Sequence, residues 1–265
     1  MQAIFAHRGW SARHPEMTRA AYRAAIEWAT TTGVPLGLEC DVQFSADDQL
    51  VCLHDQNLQR TAGLPHRPVD LTVAQLKRVD FGSWVRMSPD PEERELVTLA
   101  ELLTMTAEAR EAGVAVTLAI ETKHPNPRGL DVEDRLAEML VERGWHRPGS
   151  PVRVITGDVA GLDRVGRLLP ALPRTLLIWR DLARWWEQEL PDGTSAVGVK
   201  LALLRRDPRF ADHVREQGRE VHAFTVNHPD DVRFLRELGV SAFTTDCLPE
   251  VHAALDEPLQ PLAVA

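Results

Sequence analysis

The length, composition and charge of the chain exclude several kinds of protein. With 265 residues, 44% of them hydrophobic and 26% charged, it can bury a substantial core. No apolar run reaches the roughly 20 residues needed to span a bilayer. The net charge of −9 argues against a nucleic-acid partner and against attraction to anionic membrane surfaces.

The N-terminus and the cysteines indicate where the protein works. The first residues, MQAIFAHRGW, have no basic region followed by a long apolar stretch, so we expect no signal peptide. The three cysteines form no CxxC pair and are typical of reduced packing residues. We therefore expect a cytoplasmic protein.

Short apolar strands alternate with amphipathic helices along nearly the whole chain. Thr98 with Glu101, and Thr72 with Gln75, have the spacing of capping boxes, and Gly33 lies where the first helix should stop. The alternation predicts a parallel α/β protein, and about eight units in about 250 residues favour a (β/α)8 TIM barrel over an open sheet. Helices are predicted at residues 18–32, 71–79, 99–112, 132–143, 161–169, 208–217 and 229–238, and strands at residues 3–9, 36–44, 50–55, 114–123, 152–157, 174–179, 195–200, 220–227 and 241–246.

The strand VAVTLAIETK has the two faces that a barrel strand needs. One face carries Val116, Leu118 and Ile120, which are large enough to pack on helices. The other face carries small residues and ends in Glu121 and Lys123. An interior filled by small side chains, with functional groups at its end, is typical of a barrel.

Nine strand-like segments compete for the eight places of a barrel. VQFSADDQLV, between the second and the third, is too short for a helical crossover, so these two are expected to include a hairpin-like excursion. Which segment leaves the barrel stays open. Residues 56–91, rich in proline, are interpreted as an elaborated loop after the third strand, with one short helix. We expect a single catalytic domain over residues 1–255 and a loosely ordered tail over residues 256–265.

Carboxylates recur at the ends of two of the predicted strands. Glu39 and Asp41 are two residues apart, so both side chains leave the same face about 6–7 Å from each other. Glu121 and Lys123 repeat this spacing on another strand. Each pair alone could be a solvated ion pair. Three carboxylates converging at a barrel mouth, however, make an oxygen-rich site for one Mg²⁺ or Ca²⁺ rather than for zinc.

Two histidines and two cations lie close to the same strand ends. His7 and His54 can take and give protons near neutral pH. Arg8 and Lys123 supply fixed positive charge, and the planar fork of Arg8 suits phosphate oxygens. Asp55, next to His54, is interpreted as an orienting or structural residue. A divalent cation, two bases and two cations indicate phosphoryl transfer from an anionic ester.

The chain also resembles the glycerophosphodiester phosphodiesterase family. The resemblance extends in family order over nearly the whole chain and implies the same barrel. It implies that His7 and His54 are the acid–base pair, and that Glu39, Asp41 and Glu121 bind the metal. The blocks that carry it are AHRGWSARHPEMT, LECDVQFSADDQLVCLHDQNLQRTAG, DLTVAQLKRVDFGSW, LVTLAELL, IETK, FTVN and GVSAFTTDCLP.

The resemblance further implies how the substrate is held and cleaved. Arg8 and Lys123 would contact the phosphate, with Glu16 in a supporting role. The glycerol hydroxyl of the substrate would attack phosphorus while one histidine removes its proton and the other protonates the departing alcohol. Water would then open the cyclic phosphate to glycerol 3-phosphate. Which histidine plays which part stays open.

The chain departs from the family pattern at three places. Met17 stands where the family's PENT motif has asparagine, and Thr156 and Gly157 follow the fifth strand where the family often has Ser-Phe. Phe224 replaces the usual tryptophan before TVN and is expected, with residues 156 and 157, to line the pocket. These last two departures affect substrate preference rather than the reaction.

The site residues predict a metal-dependent phosphodiesterase, and the resemblance implies small glycerophosphodiesters such as glycerophosphocholine or glycerophosphoethanolamine as its substrates. One alternative is a lysophospholipase D that acts on acylated substrates, which would need an apolar groove near the mouth. Another is a barrel that binds a phosphoester without turnover. The leaving alcohol, the choice between Mg²⁺ and Ca²⁺ and the oligomeric state stay open.

Overall fold

Eight parallel strands close into a barrel. The computed structural model describes residues 2–258, and its strands are β1 (Ala3–Ala6), β2 (Leu36–Phe44), β3 (Leu50–Cys52), β4 (Val116–Thr122), β5 (Val152–Thr156), β6 (Arg174–Ile178), β7 (Ala196–Lys200), β8 (Glu220–Phe224) and β9 (Ala242–Thr245). The order around the barrel is β1, β2, β4, β5, β6, β7, β8 and β9, and β9 returns to pair with β1. Every pairing around this ring is parallel, which confirms the predicted (β/α)8 TIM barrel.

The strand that leaves the barrel is β3. It pairs with the end of β2 in an antiparallel hairpin, with Val42 opposite Cys52 and Phe44 opposite Leu50. The turn is closed by a hydrogen bond from the backbone N–H of Ser45 to the carbonyl of Gln49, 2.9 Å long. This antiparallel pairing confirms the predicted hairpin. The two strands form a hairpin because the connection between them is too short for a helical crossover.

Helices connect the strands around the barrel. Thr18 caps the first helix by accepting a hydrogen bond from the backbone N–H of Ala21, and the capping boxes predicted at Thr98 and Thr72 are both present. Gly33 ends the first helix at φ 71°, in the left-handed region that glycine adopts without strain. The helices of residues 2–258 are α1 (Arg19–Thr32), α2 (Gln59–Ala62), α3 (Val73–Leu76), α4 (Pro91–Arg94), α5 (Leu99–Glu111), α6 (Asp131–Glu142), α7 (Val159–Leu168), α8 (Leu182–Glu187), α9 (Leu201–Arg206), α10 (Phe210–Glu216), α11 (Pro229–Glu237) and α12 (Leu248–Asp256).

The elaborated loop follows β3, as predicted, and leads to α5. It contains α2, α3, α4 and a 3-10 turn at Pro68–Asp70, so the expectation of one short helix is wrong. The helix predicted at residues 71–79 is shorter, because Thr72 caps its start and the N–H of Arg78 bonds three residues back, as in a turn. This segment is held by a small core of its own, built from Val51, Leu53, Leu58, Leu76, Phe81 and Leu96.

Side chains fill the interior of the barrel. Ala119 of β4 packs there with Phe5, Ile155 and Ala242, while the large residues on the other face of β4 pack in the core shared with the helices, as predicted. A Cβ atom at Gly37 would lie 2.1 Å from Phe5 Cδ1, so glycine allows the ring to enter the barrel at this level. In barrels of this kind the functional residues lie at the carboxyl ends of the strands.

The described chain ends shortly after α12. Residue Asp256, the first of the predicted tail, is the last residue of this helix. Residues 259–265 of that tail lie outside the described residues. Among the helices of residues 2–258, none combines the length and the apolar character that crossing a membrane requires.

Candidate active site

The structure places the predicted site residues at the carboxyl end of the barrel. Asp41 lies opposite Glu121 in the parallel register of β2 and β4, which brings two of the predicted ligands side by side. The residues come from β2, β4 and β8 and from the chain that follows β1, β3 and β4: His7, Arg8, Glu16, Glu39, Asp41, His54, Glu121, Lys123 and Phe224.

Three carboxylates form an acidic cluster at this end. Glu39, Asp41 and Glu121 each offer one oxygen, and these oxygens all lie within 4.8 Å of one another. Burial raises the pKa of Glu39 to about 7, and the charge of Asp41 adds to the effect. Burial and Asp41 also raise the pKa of Glu121 well above its ordinary value. Such a cluster is costly as three anions and becomes favourable around a cation.

The donor set of the acidic cluster fits a hard divalent cation. All three groups are carboxylates, the ligands that Mg²⁺ and Ca²⁺ prefer. Oδ2 of Asp41 is buried and accepts no hydrogen bond from the described residues, and its ion-pair contact there is Arg8 Nε at 3.3 Å. A buried carboxylate oxygen usually accepts a hydrogen bond, so this oxygen is suited to ligation of a metal ion.

Two cationic side chains balance part of the negative charge. Lys123 Nζ lies 2.6 Å from Asp41 Oδ1 and 2.6 Å from Glu121 Oε1. Arg8 Nε lies 3.3 Å from Asp41 Oδ2, and the backbone N–H of Arg8 donates to Glu39 Oε2 at 2.9 Å. Burial opposes the charge of Asp41, but Lys123 and Arg8 hold the pKa of its carboxyl well below the ordinary value. Arg8 adopts φ 59°, a strained value for a residue with a side chain.

His7 is oriented by a carboxylate from the last strand. Its Nδ1 lies 2.6 Å from Oδ1 of Asp246, the residue that follows β9. Asp246 also accepts hydrogen bonds from Ser11 Oγ at 2.7 Å and from Asn227 Nδ2 at 2.6 Å, so its position is fixed. Burial lowers the pKa of His7, but the bond to Asp246 and the charge of Glu39 outweigh burial and raise it. This partner was missed from the sequence, although Asp246 stands at a strand end.

His54 is held by its neighbour and by a residue of β2. Its Nδ1 lies 2.7 Å from Asp55 Oδ1, which gives Asp55 an orienting contact. Gln43 Nε2 donates to the carbonyls of Leu53, His54 and Asp55 at 3.1, 3.2 and 2.5 Å and so fixes the loop. Burial, together with Lys123 and Arg8, lowers the pKa of His54. The sequence contained a signal for Gln43, which is two residues beyond Asp41 on the same strand face.

Glu16 contacts the side chain of Arg8, the candidate for phosphate binding. Glu16 Oε1 accepts a hydrogen bond from Nη1 of Arg8 at 2.9 Å, and the guanidinium of Arg60 donates to both oxygens of Glu16. Met17, at the family departure, is buried with φ 57°, and its N–H donates to the carbonyl of Arg8 at 2.9 Å. Packing and backbone contacts therefore hold this loop in the absence of an asparagine amide.

A cavity of about 490 Å³ adjoins the acidic cluster beside Glu121. Trp179, which follows β6, lines it and packs over Gly157. A Cβ atom at Gly157 would lie 1.9 Å from the ring of Trp179, so the tryptophan occupies the space of a larger residue there. Phe224 ends β8, and its Cε1 lies 3.7 Å from the position of a Cβ on Gly198 of β7. Gly157, one of the positions predicted to line the pocket, lines this cavity, and Phe224 lies at the carboxyl end of β8.

Comparison with known proteins identifies the family. The sequence model of the glycerophosphoryl diester phosphodiesterase family matches residues 7–249, from His7 to the first turn of α12. The chain belongs to this family. The resemblance found in the sequence is therefore confirmed, and with it the enzyme class, a phosphoric diester hydrolase.

Relatives of this phosphodiesterase cover nearly its whole length. It is 34% identical over 245 residues to the "Probable glycerophosphodiester phosphodiesterase 1" of Mycobacterium tuberculosis, which covers 90% of this chain and 86% of the relative. It is 28% identical over 246 residues to the glycerophosphodiester phosphodiesterase of Bacillus subtilis, covering 91% and 82%. Its barrel is similar to that of an Oleispira antarctica phosphodiesterase in complex with the product sn-glycerol-3-phosphate, with a TM-score of 0.78, 23% identity and coverage of 96% and 97%.

Proposed function

We propose that this phosphodiesterase hydrolyses small glycerophosphodiesters, such as glycerophosphocholine, to glycerol 3-phosphate and an alcohol. One observation carries the proposal: two histidines, each oriented by a carboxylate through Nδ1, accompany a buried acidic cluster. With Nδ1 engaged, the Nε2 atom of His7 and of His54 is available to exchange protons with substrate. The comparisons support the substrate class, because relatives over most of the chain carry that name.

The metal dependence is part of the proposal. Glu39, Asp41 and Glu121 would hold one divalent cation, Mg²⁺ or Ca²⁺, through carboxylate oxygens alone. When bound, such an ion neutralises phosphoryl charge that develops during displacement. Lys123 forms ion pairs with Asp41 and Glu121, two of the three carboxylates that would bind the ion. These ion pairs would hold the Lys123 ammonium group next to the ion, where it can contact the phosphate.

The remaining residues would perform binding and proton transfer. Arg8 and Lys123 would contact the phosphate oxygens. One of His7 and His54 would take the proton of the glycerol hydroxyl as its oxygen bonds to phosphorus. The other would protonate the alcohol as its bond to phosphorus breaks. In the second half, water would open the cyclic phosphate, and the two histidines would exchange roles.

A histidine pair with a matched control tests this assignment. Phosphorus NMR would follow glycerophosphocholine and identify glycerol 3-phosphate and any cyclic phosphate. His54→Ala should lower kcat by roughly 10²–10⁴-fold, the usual share of a general acid or base. His66→Ala, which changes an exposed histidine of the elaborated loop, should leave kcat unchanged. Equal activities of the two variants would refute the role of His54.

An acylated substrate remains a second candidate, and one feature favours it. The elaborated loop exposes the large apolar side chains of Trp84, Val85 and Met87. Trp84 lies against Arg60, which in turn contacts Glu16 at the site, so this apolar group lies near the mouth. If lysophosphatidylcholine is cleaved to lysophosphatidic acid faster than glycerophosphocholine is cleaved, the enzyme is a lysophospholipase D. Binding of both without cleavage would indicate the non-catalytic alternative.

The cytoplasm is the proposed location of the enzyme. Cys40 and Cys52 are buried as free thiols, a state that a reducing compartment maintains. Fractionation of cells that express the protein, with detection by antibody, would test the location. Recovery outside the cytoplasmic fraction would contradict it.

A further inference from the structure

Arg60 lies outside the predicted site but contacts two of its supporting residues. It is in α2, in the elaborated loop, and its side chain is 39% exposed. Its Nη1 and Nη2 donate to Glu16 Oε2 and Oε1 at 2.7 and 2.8 Å. Its Nε donates to Asp55 Oδ2 at 2.6 Å. One guanidinium therefore joins two carboxylates that are distant in the sequence.

Each of these carboxylates holds a different residue of the proposed machinery. Glu16 Oε1 also accepts a hydrogen bond from Arg8 Nη1, at 2.9 Å. Asp55 Oδ1 lies 2.7 Å from His54 Nδ1. The contacts therefore form a continuous chain from Arg8 through Glu16, Arg60 and Asp55 to His54.

The geometry of the guanidinium explains why an arginine is required. Its N–H groups point in fixed directions within one plane, so it can bind one carboxylate through two nitrogens and a second through Nε. Both oxygens of Asp55 are thereby engaged, one by Arg60 and one by His54, which prevents rotation of the carboxylate. The guanidinium carbon lies 5.1 Å from the centre of the Trp84 ring, which covers one face of the guanidinium plane.

A role in stability alone does not account for this arrangement. Ion pairs at exposed positions contribute little to the free energy of unfolding, and Arg60 is more than one-third exposed. The elaborated loop also has a hydrophobic core of its own that holds it in place. Arg60 adds a fixed distance between Arg8, which contacts Glu16, and His54, which contacts Asp55.

We propose that Arg60 is a positioning residue that sets Arg8 and His54 relative to each other through Glu16 and Asp55. The inference rests on the proposed function for the roles of Arg8 and His54. It assigns to the elaborated loop a part in catalysis, because one of its side chains links phosphate binding with proton transfer.

The inference predicts a divided kinetic effect. In Arg60→Ala, kcat should fall about tenfold or more because Asp55, free to rotate, orients His54 less well. KM should rise severalfold because Glu16, no longer fixed by Arg60, orients Arg8 less well. Glu16→Gln should reproduce mainly the rise in KM, and Asp55→Asn mainly the fall in kcat. Arg60→Lys keeps the charge without the planar fork and should recover only part of the loss.

Arg67 provides a matched control within the same loop. It is an exposed arginine that donates through Nε and Nη2 to both oxygens of Asp70, at 3.0 and 2.8 Å. Arg67→Ala should leave kcat and KM at wild-type values. Circular dichroism melting of both alanine variants should show the same folded fraction at the assay temperature.

The deciding experiment measures kcat and KM on glycerophosphocholine, and calorimetric affinity for glycerol 3-phosphate, in wild type, Arg60→Ala and Arg67→Ala. The divided effect in Arg60→Ala alone supports the inference. Similar behaviour of the two variants, or a loss that follows the unfolded fraction, overturns it. If the wild type shows no turnover, the proposed function fails, and the positioning role of Arg60 is tested by ¹⁵N NMR of the His54 ring. Loss of the Nδ1–H signal in Arg60→Ala supports positioning, and an unchanged signal overturns it.

Discussion

Replacing Asp246 by asparagine tests whether His7 acts as an oriented proton-transfer group. The carboxylate fixes the proton of the imidazole on Nδ1, at 2.6 Å, and leaves Nε2 free for substrate. An asparagine amide can present its N–H₂ group to Nδ1 instead, which favours the tautomer with the proton on Nε2. The ring would then lie in the same place with the wrong nitrogen protonated.

The structure sets the size of the effect. Burial raises the pKa of Asp246, but its hydrogen bond to His7 and the charge of His7 lower it. The hydrogen bonds from Ser11 and Asn227 lower it further, and the result is a fall from 3.8 to about 2. This depression corresponds to about 2 kcal/mol of stabilisation, present above pH 4 and lost as the pH falls from about 4 to about 2. The raised pKa of His7 reflects largely the same contact with Asp246 and is not added. At neutral pH, Asp246→Asn should therefore reduce the free energy of unfolding by at most about 2 kcal/mol.

The loss of activity should be much larger than the loss of stability implies. We expect kcat to fall about 10²-fold or more, since a general acid or base contributes roughly 10²–10⁴-fold. KM should change little, because Asp246 contacts His7, Ser11 and Asn227. The assay is glycerol 3-phosphate release from glycerophosphocholine at saturating metal. Ser11→Ala, which removes one other bond to Asp246, is the control and should lower kcat only severalfold. A folded Asp246→Asn enzyme with kcat close to wild type would refute the reasoning.

Two further substitutions test the support of His54 and the packing of the barrel. Gln43→Ala removes the amide that binds three carbonyls around His54, so kcat should fall roughly tenfold with KM nearly constant. An unchanged kcat in steady-state assays would show that the chain around His54 is held by other contacts. Gly37→Ala places a methyl group against Phe5 and should destabilise the protein by about 1–3 kcal/mol, with a fall of several degrees in the calorimetric Tm. A Tm equal to that of the wild type would mean that the Phe5 ring moves without cost.

Local patterns in the sequence were sufficient to predict the barrel but not the role of every strand. Alternation of strands and helices, capping boxes and the two faces of β4 depend on neighbours in the chain, and all of them are present. The identity of β3 as the extra strand could not be predicted. A short apolar run looks the same in a barrel and in a hairpin, and only its pairing partner distinguishes the two.

The site also contains residues that a local sequence pattern marks and residues that only the fold brings together. Glu39 and Asp41 were found by their period of two on one strand, and Gln43 could have been found by extending it. Asp246 lies 239 residues from His7 and meets it only because β9 pairs with β1 when the barrel closes. Arg60 contacts Glu16 across 44 residues, from a short helix without a periodic pattern, so no local signal marks it.

Glycerol 3-phosphate release from glycerophosphocholine by chelator-treated protein tests the central claim most directly. The release would be measured before and after Mg²⁺ or Ca²⁺ is restored, with His7→Ala treated in parallel. We predict no release without metal, recovery with one or both ions, and no comparable recovery in the variant. Release that persists after chelation, or that the variant matches, would contradict the account of a metal-dependent, histidine-catalysed phosphodiesterase.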